Sequence, residues 1–222
     1  MLGKSIRPIT GRKDSGGGVD PSAFDDPLAL ETQWTPVASG GANFRTHRLV
    51  QPSPNRVEFA PTIVAKAFYL LFLAIGSGLL VFHLNRIRIS QTGFSNQDTL
   101  VPILAGAVFA VAGACMYWFG TAPRVFDQAR AAFWRGRRAP TPMGIVERGG
   151  SSAPLSSIHA LQLLSEFVSG SKNSYYSYEL NLILDDGSRI NVVDHGNLER
   201  LRADADTLSQ FLDKPLWDAT RG

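Results

Sequence analysis

A single cysteine, Cys115, occurs in the whole chain, so no internal disulfide framework is open to it. That fits a reducing compartment. Also missing are the short motifs that carry common chemistry. There is no G-x-x-x-x-G-K-[ST] stretch, and no G-x-G-x-x-G follows a strand pattern; the triple glycine at positions 16–18 lies in a stretch without periodicity. No G-x-S-x-G elbow is present. His47, His83, His159 and His195 show none of the short spacings of a metal pair. These absences leave no sequence grounds for nucleotide, serine-hydrolase or metal chemistry, and no cofactor and no metal is expected.

Charge is scarce in two places. Residues 63–84 hold one charged side chain, Lys66, and residues 99–120 hold none. Each run is long enough for a helix of ~30 Å, the thickness of a bilayer core. The rest of the chain is too small to wrap two wholly apolar helices, so the runs read as a transmembrane pair. The first begins some way into the chain, at Ile63, which sets it apart from a signal peptide. Residues 85–98 join them, so residues 63–120 form a tight hairpin with both flanks on one side.

The basic residues choose the side. Arg45, Arg48, Arg56, Arg124, Arg130, Arg135, Arg137 and Arg138 flank the hairpin, against Arg86 and Arg88 in its loop. The positive-inside rule then puts both termini in the cytoplasm. Tyr117, Trp118 and Phe119 stand where an interfacial aromatic belt would. Small residues recur four apart at Ala74/Gly78 and Gly106/Ala110, a spacing that permits close approach within the hairpin or between copies.

Residues 1–42 are rich in Gly, Pro, Ser and Asp and show no sustained period, which predicts a flexible tail. Residues 43–62 hold two short strand patterns, "FRTHRLVQ" and "RVEFAP", around the turn signal "PSPN". After the second apolar run, "RVFDQ" and "AAFWRG" read as a hairpin, and "IVER" as a short pairing segment. "YYSYELNLILDD" is the strongest strand. Tyr176, Tyr178, Leu180, Leu182 and Leu184 share one face at period two, with Ser177, Glu179 and Asn181 on the other. Asp186-Gly187 supplies a tight turn into "SRINVVD". A helix over 197–213 follows, with Asn197 as N-cap and Leu198, Leu201, Ala205, Leu208 and Leu212 in one stripe. Asp204 and Asp206 fall off the stripe, toward solvent; Pro215 ends the helix, and Leu216 and Trp217 fold back on the sheet.

Two strands before the hairpin, about five after it and a closing helix resemble the pleckstrin-homology fold. The hairpin would then be inserted between the second and third strands, with residues 121–222 completing the domain. The segments "RTHRLV", "RVEFAPT", "RVFDQ", "YELNLILDDG" and "NVVDHGNLERLRADADTLSQFLDKPLWD" look like those of small bacterial membrane proteins with a pleckstrin-homology-like domain. The resemblance covers architecture and implies a place in the bacterial inner membrane. It implies binding of a protein or a lipid headgroup, and carries no catalytic signature.

Two sets of residues stand out as candidates. Asp194-His195 has the chemistry of an acid–base pair on a lipid-like substrate; its plainer reading is satisfaction of backbone groups at the helix start. Arg130, Arg135, Arg137 and Arg138 lie among six arginines between positions 124 and 148, where only Asp127 and Glu147 oppose them. Near a cytoplasmic leaflet such a cluster attracts anionic lipid at about 1 kcal/mol per charge; its plainer role is to set topology. Beyond position 120 basic and acidic residues cancel, which argues against nucleic acid. The expected function is a non-enzymatic, membrane-anchored scaffold, assembly or regulatory protein. Its partners would be membrane lipids, a further protein and, in a homo-oligomer, itself. The alternative is an accessory subunit of a membrane transporter or enzyme complex.

Overall fold

The computed structural model describes residues 19–90, 97–141, 151–170 and 173–220. Two antiparallel strands open the folded body, β1 (His47–Ser53) and β2 (Arg56–Pro61). Arg48, Arg56 and Glu58 face outward with Val50 and Ala60, while Val57 and Phe59 point inward and are buried. At Thr62 the chain turns into α2 (Ile63–Ser90), the short helix α1 (Pro27–Glu31) lying earlier in the chain. Thr62 Oγ1 caps α2 by accepting from the Ala65 N–H at 3.2 Å, and donates to the Arg45 carbonyl at 2.9 Å. The helix α3 (Gln97–Gly120) returns antiparallel to α2. The two helices therefore absorb much of the expected 85–98 loop: α2 runs six residues beyond Leu84, to Ser90.

The return strand β3 (Arg124–Asp127) pairs with β2 in the register Phe59–Arg124 to Arg56–Asp127. So the helical pair is an insertion between adjacent antiparallel strands, and both helices leave the same end of one sheet. Strands β4 (Ala132–Arg135) and β5 (Ser152–Pro154) complete that five-stranded sheet, ordered β1-β2-β3-β4-β5.

A second sheet is ordered β8-β7-β6-β9, from β6 (Ile158–Val168), β7 (Tyr175–Leu184), β8 (Arg189–His195) and β9 (Leu216–Asp218). Leu216 and Trp217 do fold back, as a short strand parallel to β6. The inner faces of both sheets and α4 (Leu198–Leu212) share one core. It includes Phe59, Phe126, Phe133, Leu161, Leu163, Leu180, Leu182, Leu201, Ala205 and Leu208. Asn197 caps α4 by accepting from Arg200 N–H at 3.0 Å, and Asp213, in the left-handed region at φ 52, ends it. The predicted face of β7 holds for Leu180 and Leu182. Tyr176 departs from it, 56% exposed at the end of the strand. Asp204 also departs from expectation: it pairs with Arg45 at 2.5 Å with its side chain only 14% exposed. Burial raises its pKa, against the pull of Arg45. The segment "IVER" lies outside the described residues.

The largest revision concerns the tail. Residues 19–42 do not hang free; they cross the outer face of the second sheet as a strap. Phe24 stacks on Trp34 with ring centroids 4.9 Å apart, and both lie against Trp217. Asp20 and Asp26 cap its two short turns through the Ser22 and Leu28 N–H groups. Gly and Pro in this segment serve tight, irregular packing, which has no period for a sequence reading to find.

The helical pair differs from everything else in the chain. Both helices are long and apolar enough to cross a membrane, over 63–89 and 100–120, and only 6% and 11% of their most apolar windows is buried. Ile63, Val64, Leu71, Val81, Phe82, Leu104, Val108 and Val111 are all exposed. The helices meet through Gly76, Gly106 and Gly113: a Cβ at Gly76 would lie 2.2 Å from the Ala110 nitrogen. Of the small-residue pairs expected to make this contact, Gly106/Ala110 does so, whereas Ala74 and Gly78 are exposed.

Candidate functional site at the helix exits

The register of β3 and β4 sets the geometry of the arginine cluster. Arg124 is paired with Arg135 at the end where the helices leave, and Asp127 with Ala132 at the opposite, turn end. Arg130 sits in that turn, its N–H bonded to Asp127 Oδ1 at 3.0 Å. At ~3.3 Å per residue the turn is about 10 Å from the exit end. Arg130 is thus separated from the site, while Arg135, Arg137 and Arg138 are brought together beside Arg124.

Two of these side chains close the end of α3. Arg137 donates to the Trp118 carbonyl at 2.6 Å and to Thr121 Oγ1 at 2.6 Å, and its guanidinium lies 4.7 Å from the Trp118 ring centroid. The last carbonyls of a helix lack partners and carry partial negative charge, so a cation there stabilises the end. Arg124 donates from Nη1 to the Ala122 carbonyl at 2.9 Å and from Nε to the Val192 carbonyl at 2.9 Å, tying the α3 exit to β8. Arg135 reaches β8 too, donating to the Asn191 carbonyl at 2.5 Å. Arg138 is exposed, with no hydrogen bond or ion pair among the described residues.

His47 lies beneath this cluster and is 1% exposed. Its Nε2 is 3.2 Å from the Ala122 carbonyl and its Nδ1 is 3.0 Å from Thr46 Oγ1, with Arg124 Nη1 against the ring. With the Arg124 donor against it, a neutral ring is the form that fits: one nitrogen accepts from Arg124 and the other is free to donate. Burial and the adjacent Arg124 push the His47 pKa down to about 3, in keeping with a neutral ring. Burial, with Arg135 alongside, lowers the Arg124 pKa to about 10. Asp194, whose Oδ1 accepts from Asn191 Nδ2 at 3.0 Å, has its pKa raised to about 6 by burial and by Glu179. A carboxyl so held offsets the four arginines only in part, so the exit end is net positive. Exposed Trp118 and Phe119 border it, 60% and 71% accessible.

Asp194 and His195 do not form a pair. Adjacent strand residues point to opposite faces. Asp194 lies cross-strand from Glu179 on the outer face, and His195 from Tyr178. His195 accepts the Asn197 N–H on Nδ1 at 3.0 Å, satisfying the backbone at the start of α4. Burial and Arg45 lower its pKa to about 4. His83, in α2, has a buried Nδ1 without a partner, and Asn85 is exposed. No group of three or more His, Cys, Asp or Glu suited to a metal occurs among the described residues. Sequence reasoning missed Arg124 and His47 as members of the exit site; the register that pairs Arg124 with Arg135 is the signal that finds them. Comparisons with protein-family models, with curated proteins and with solved structures give no match.

Proposed function

We propose that this chain is a non-enzymatic, membrane-anchored binding protein. α2 and α3 span the bilayer as a hairpin, and a pleckstrin-homology-like domain is held against the cytoplasmic face. One observation carries the reading: two long apolar helices leave one end of a sheet with their surfaces uncovered, and exposed arginines gather at that same end. Uncovered apolar faces of this extent need a lipid or protein cover. Arginines at helix exits suit the anionic leaflet and, by the positive-inside rule, the cytoplasmic side. Two sheets around one core, closed by an amphipathic C-terminal helix, support the pleckstrin-homology-like reading of the domain. Its action would be positional, raising the local concentration of whatever it holds and fixing its orientation.

The test uses the full chain in mild detergent, with phosphatidylglycerol or phosphatidylcholine added and bound lipid read by native mass spectrometry. The expected result is preferential retention of the anionic lipid, lost in the triple variant R135A/R137A/R138A. Equal retention of both lipids by the unmodified chain sinks the lipid version. Impermeant labelling of cysteines placed at each end of a C115A chain tests the anchor; protection of the two ends on opposite sides overturns it. A second reading, as accessory subunit of a larger membrane complex, is favoured by the small, outward-facing Ala74 and Gly78 on α2, a surface another helix can approach closely. Crosslinking in native membranes distinguishes it, since a chain recovered only with itself excludes such a complex.

A further inference from the structure

The outer face of the second sheet is polar and yet buried. Gln162 and Asn181 are fully buried, and Ser177 and Glu179 are 2% exposed. The strap covers them without pairing to the sheet as a strand. Its grip over residues 37–41 is made by main chain. The Val37 and Ala38 N–H groups donate to the two oxygens of Glu179 at 2.7 and 2.9 Å. The Gly40 and Gly41 N–H groups donate to the two oxygens of Glu166 at 3.1 and 3.3 Å. Tyr175 and Ser177 donate in turn to the carbonyls of Gly41 and Ala42. Two carboxylates that each hold consecutive backbone N–H groups recognise a bent main chain, here with Gly40 at φ 78, and read none of its side chains.

The resident segment fits this face poorly in charge. Residues 33–42 carry no charged side chain, and the residues before them in the strap carry Asp20, Asp25, Asp26 and Glu31 and no Lys or Arg. The face and its edges present Glu166, Glu179, Asp185, Asp186 and Asp194 against Arg189, His159 and, near Asp194, Arg124 and Arg135. Asp26–His159, at 2.7 Å, is the one ion pair recorded between strap and sheet among the described residues. The crowding of negative charge is felt at Asp194, whose pKa Glu179 helps to raise. A separate mark of misfit lies at Asn181. Its amide nitrogen donates to Glu179 at 2.5 Å and to Gln162 at 3.4 Å, while its Oδ1, in a residue with no exposed surface, lacks a donor among the described residues.

We propose that this face is the recognition surface for a basic, glycine-containing, bent segment of a partner protein, and that residues 33–42 are its resident, displaceable occupant. The proposal rests on the reading of the domain as a binding module and is independent of the membrane anchor. Lysine or arginine side chains on the incoming segment supply the missing charge. The backbone N–H sites on Glu166 and Glu179 are reused unchanged. A small residue is required where Gly41 sits, because a Cβ there would fall 2.2 Å from Ser177 Oγ. The contact of Phe24 with Trp217 lies at the far end of the strap and keeps it tethered while residues 33–42 swing away.

The experiment uses the full chain in detergent and a fluorescein-labelled peptide of residues 33–42 carrying V37K and S39K, two exposed positions. G41A drives the strap off from its own side. G196A does so from the sheet side, where a Cβ would lie 2.1 Å from the Asn43 carbonyl oxygen, and serves if G41A does not fold. Neither alters a polar side chain of the face. Fluorescence anisotropy is expected to show at least tenfold tighter peptide binding to either variant than to the unmodified chain. Adding E166Q and E179Q is expected to abolish it, and salt at about 0.5 M to weaken it, as screened charge requires. The peptide without its lysines is expected to bind more weakly. Absence of binding to G41A and G196A, or equal binding with and without E166Q and E179Q, overturns the proposal. Lipid retention is measured separately on the same samples, so failure of either reading leaves the other standing.

Discussion

The helical pair and the outer face of the second sheet invert each other. The first is the most apolar surface in the chain and is largely uncovered; the second is among the most polar and is sealed. Hydropathy therefore does not decide burial here by itself. What decides it is whether each group finds a partner suited to it. Leu71, Val81 and Val108 have no protein cover and call for an apolar medium. Glu179 and Gln162 are tolerable inside because the strap supplies main-chain donors and acceptors: Gln162 Nε2 donates to the Gln33 carbonyl at 3.0 Å, and Arg189 to those of Gln33 and Thr35. The inner face of the same sheet, apolar and buried, gives the ordinary rule against which both can be measured.

That ordinary rule sets the largest expected effect. Leu201 has no exposed surface and packs between α4 and the two sheets. Leu201→Ala is expected to destabilise the domain by about 2–5 kcal/mol, the range for large-to-small core changes, read as a loss of melting temperature. A loss within about 0.5 kcal/mol, ordinary for surface positions, would mean that the shared core is misplaced. Val108, 66% exposed near the middle of α3, tests the inverted case. On a soluble surface Val108→Arg would be harmless. In a span it is expected to oppose insertion by about 2.5–3.5 kcal/mol, read as the fraction of chain carbonate-resistant in membranes. An unchanged fraction would break the comparison at its first term.

On the other side stands Glu179→Gln. The new amide sets its own N–H groups against one of the donors now held, Val37 or Ala38 N–H or Asn181 Nδ2. The expected loss is about 1–3 kcal/mol. It should appear as faster hydrogen exchange at residues 37 and 38, with the β7 core unmoved, because the strap hydrates its own groups once released. Exchange that rises equally across β7 would show that strap and sheet are one cooperative unit.

The two inverted regions also differed in how far they could be read in advance. A charge-free run of twenty-odd residues is a one-dimensional signal, so the helices and their insertion between β2 and β3 were legible, as was the stripe of α4 with its Asn197 cap. The polar row Ser177, Glu179, Asn181 was placed on the correct face of β7, but its burial was not foreseen. The strap that covers it has no period, and its contacts join residues up to 142 positions apart. The arginines were legible as charge and not as geometry. Register alone moves Arg130 to the far turn and draws Arg124, which a composition count treats like the others, into the helix end.

A smaller effect comes from acid–base linkage at Asp194, which lies between the exit site and the strap-covered face. Its folded pKa, about 6, is above the ordinary value of 3.8 for an aspartate, so the folded state holds the proton more tightly. Its contribution to stability is full below about pH 4 and is lost as pH rises through about 6. Asp194→Asn removes that loss. The stability of the variant minus that of the unmodified chain is expected to climb between pH 4 and pH 6, by about 1 kcal/mol in order of magnitude, and to be flat above. Melting temperatures of both chains across that window decide it. A difference that falls with pH would mean that Arg124 and Arg135 outweigh burial and Glu179 there.

The smallest effect on stability is expected where the exit site is least tied to the fold. Arg137 stacks on Trp118 and caps α3, so its removal disturbs structure and binding together. Arg138 has no such bonds, and Arg138→Ala is expected to leave the melting temperature within the range of about 0.5 kcal/mol ordinary for exposed positions. Any function of this side chain must then lie outside the protein. If the helices are lipid-embedded, its charge stands close to the headgroups, where one charge is worth about 1 kcal/mol, roughly a fivefold change in the retention of anionic lipid. A variant that keeps both stability and anionic-lipid retention would reduce Arg138 to a solvated loop residue. The uncovered helices would then need a protein neighbour, rather than an anionic leaflet, to account for the arginines beside them.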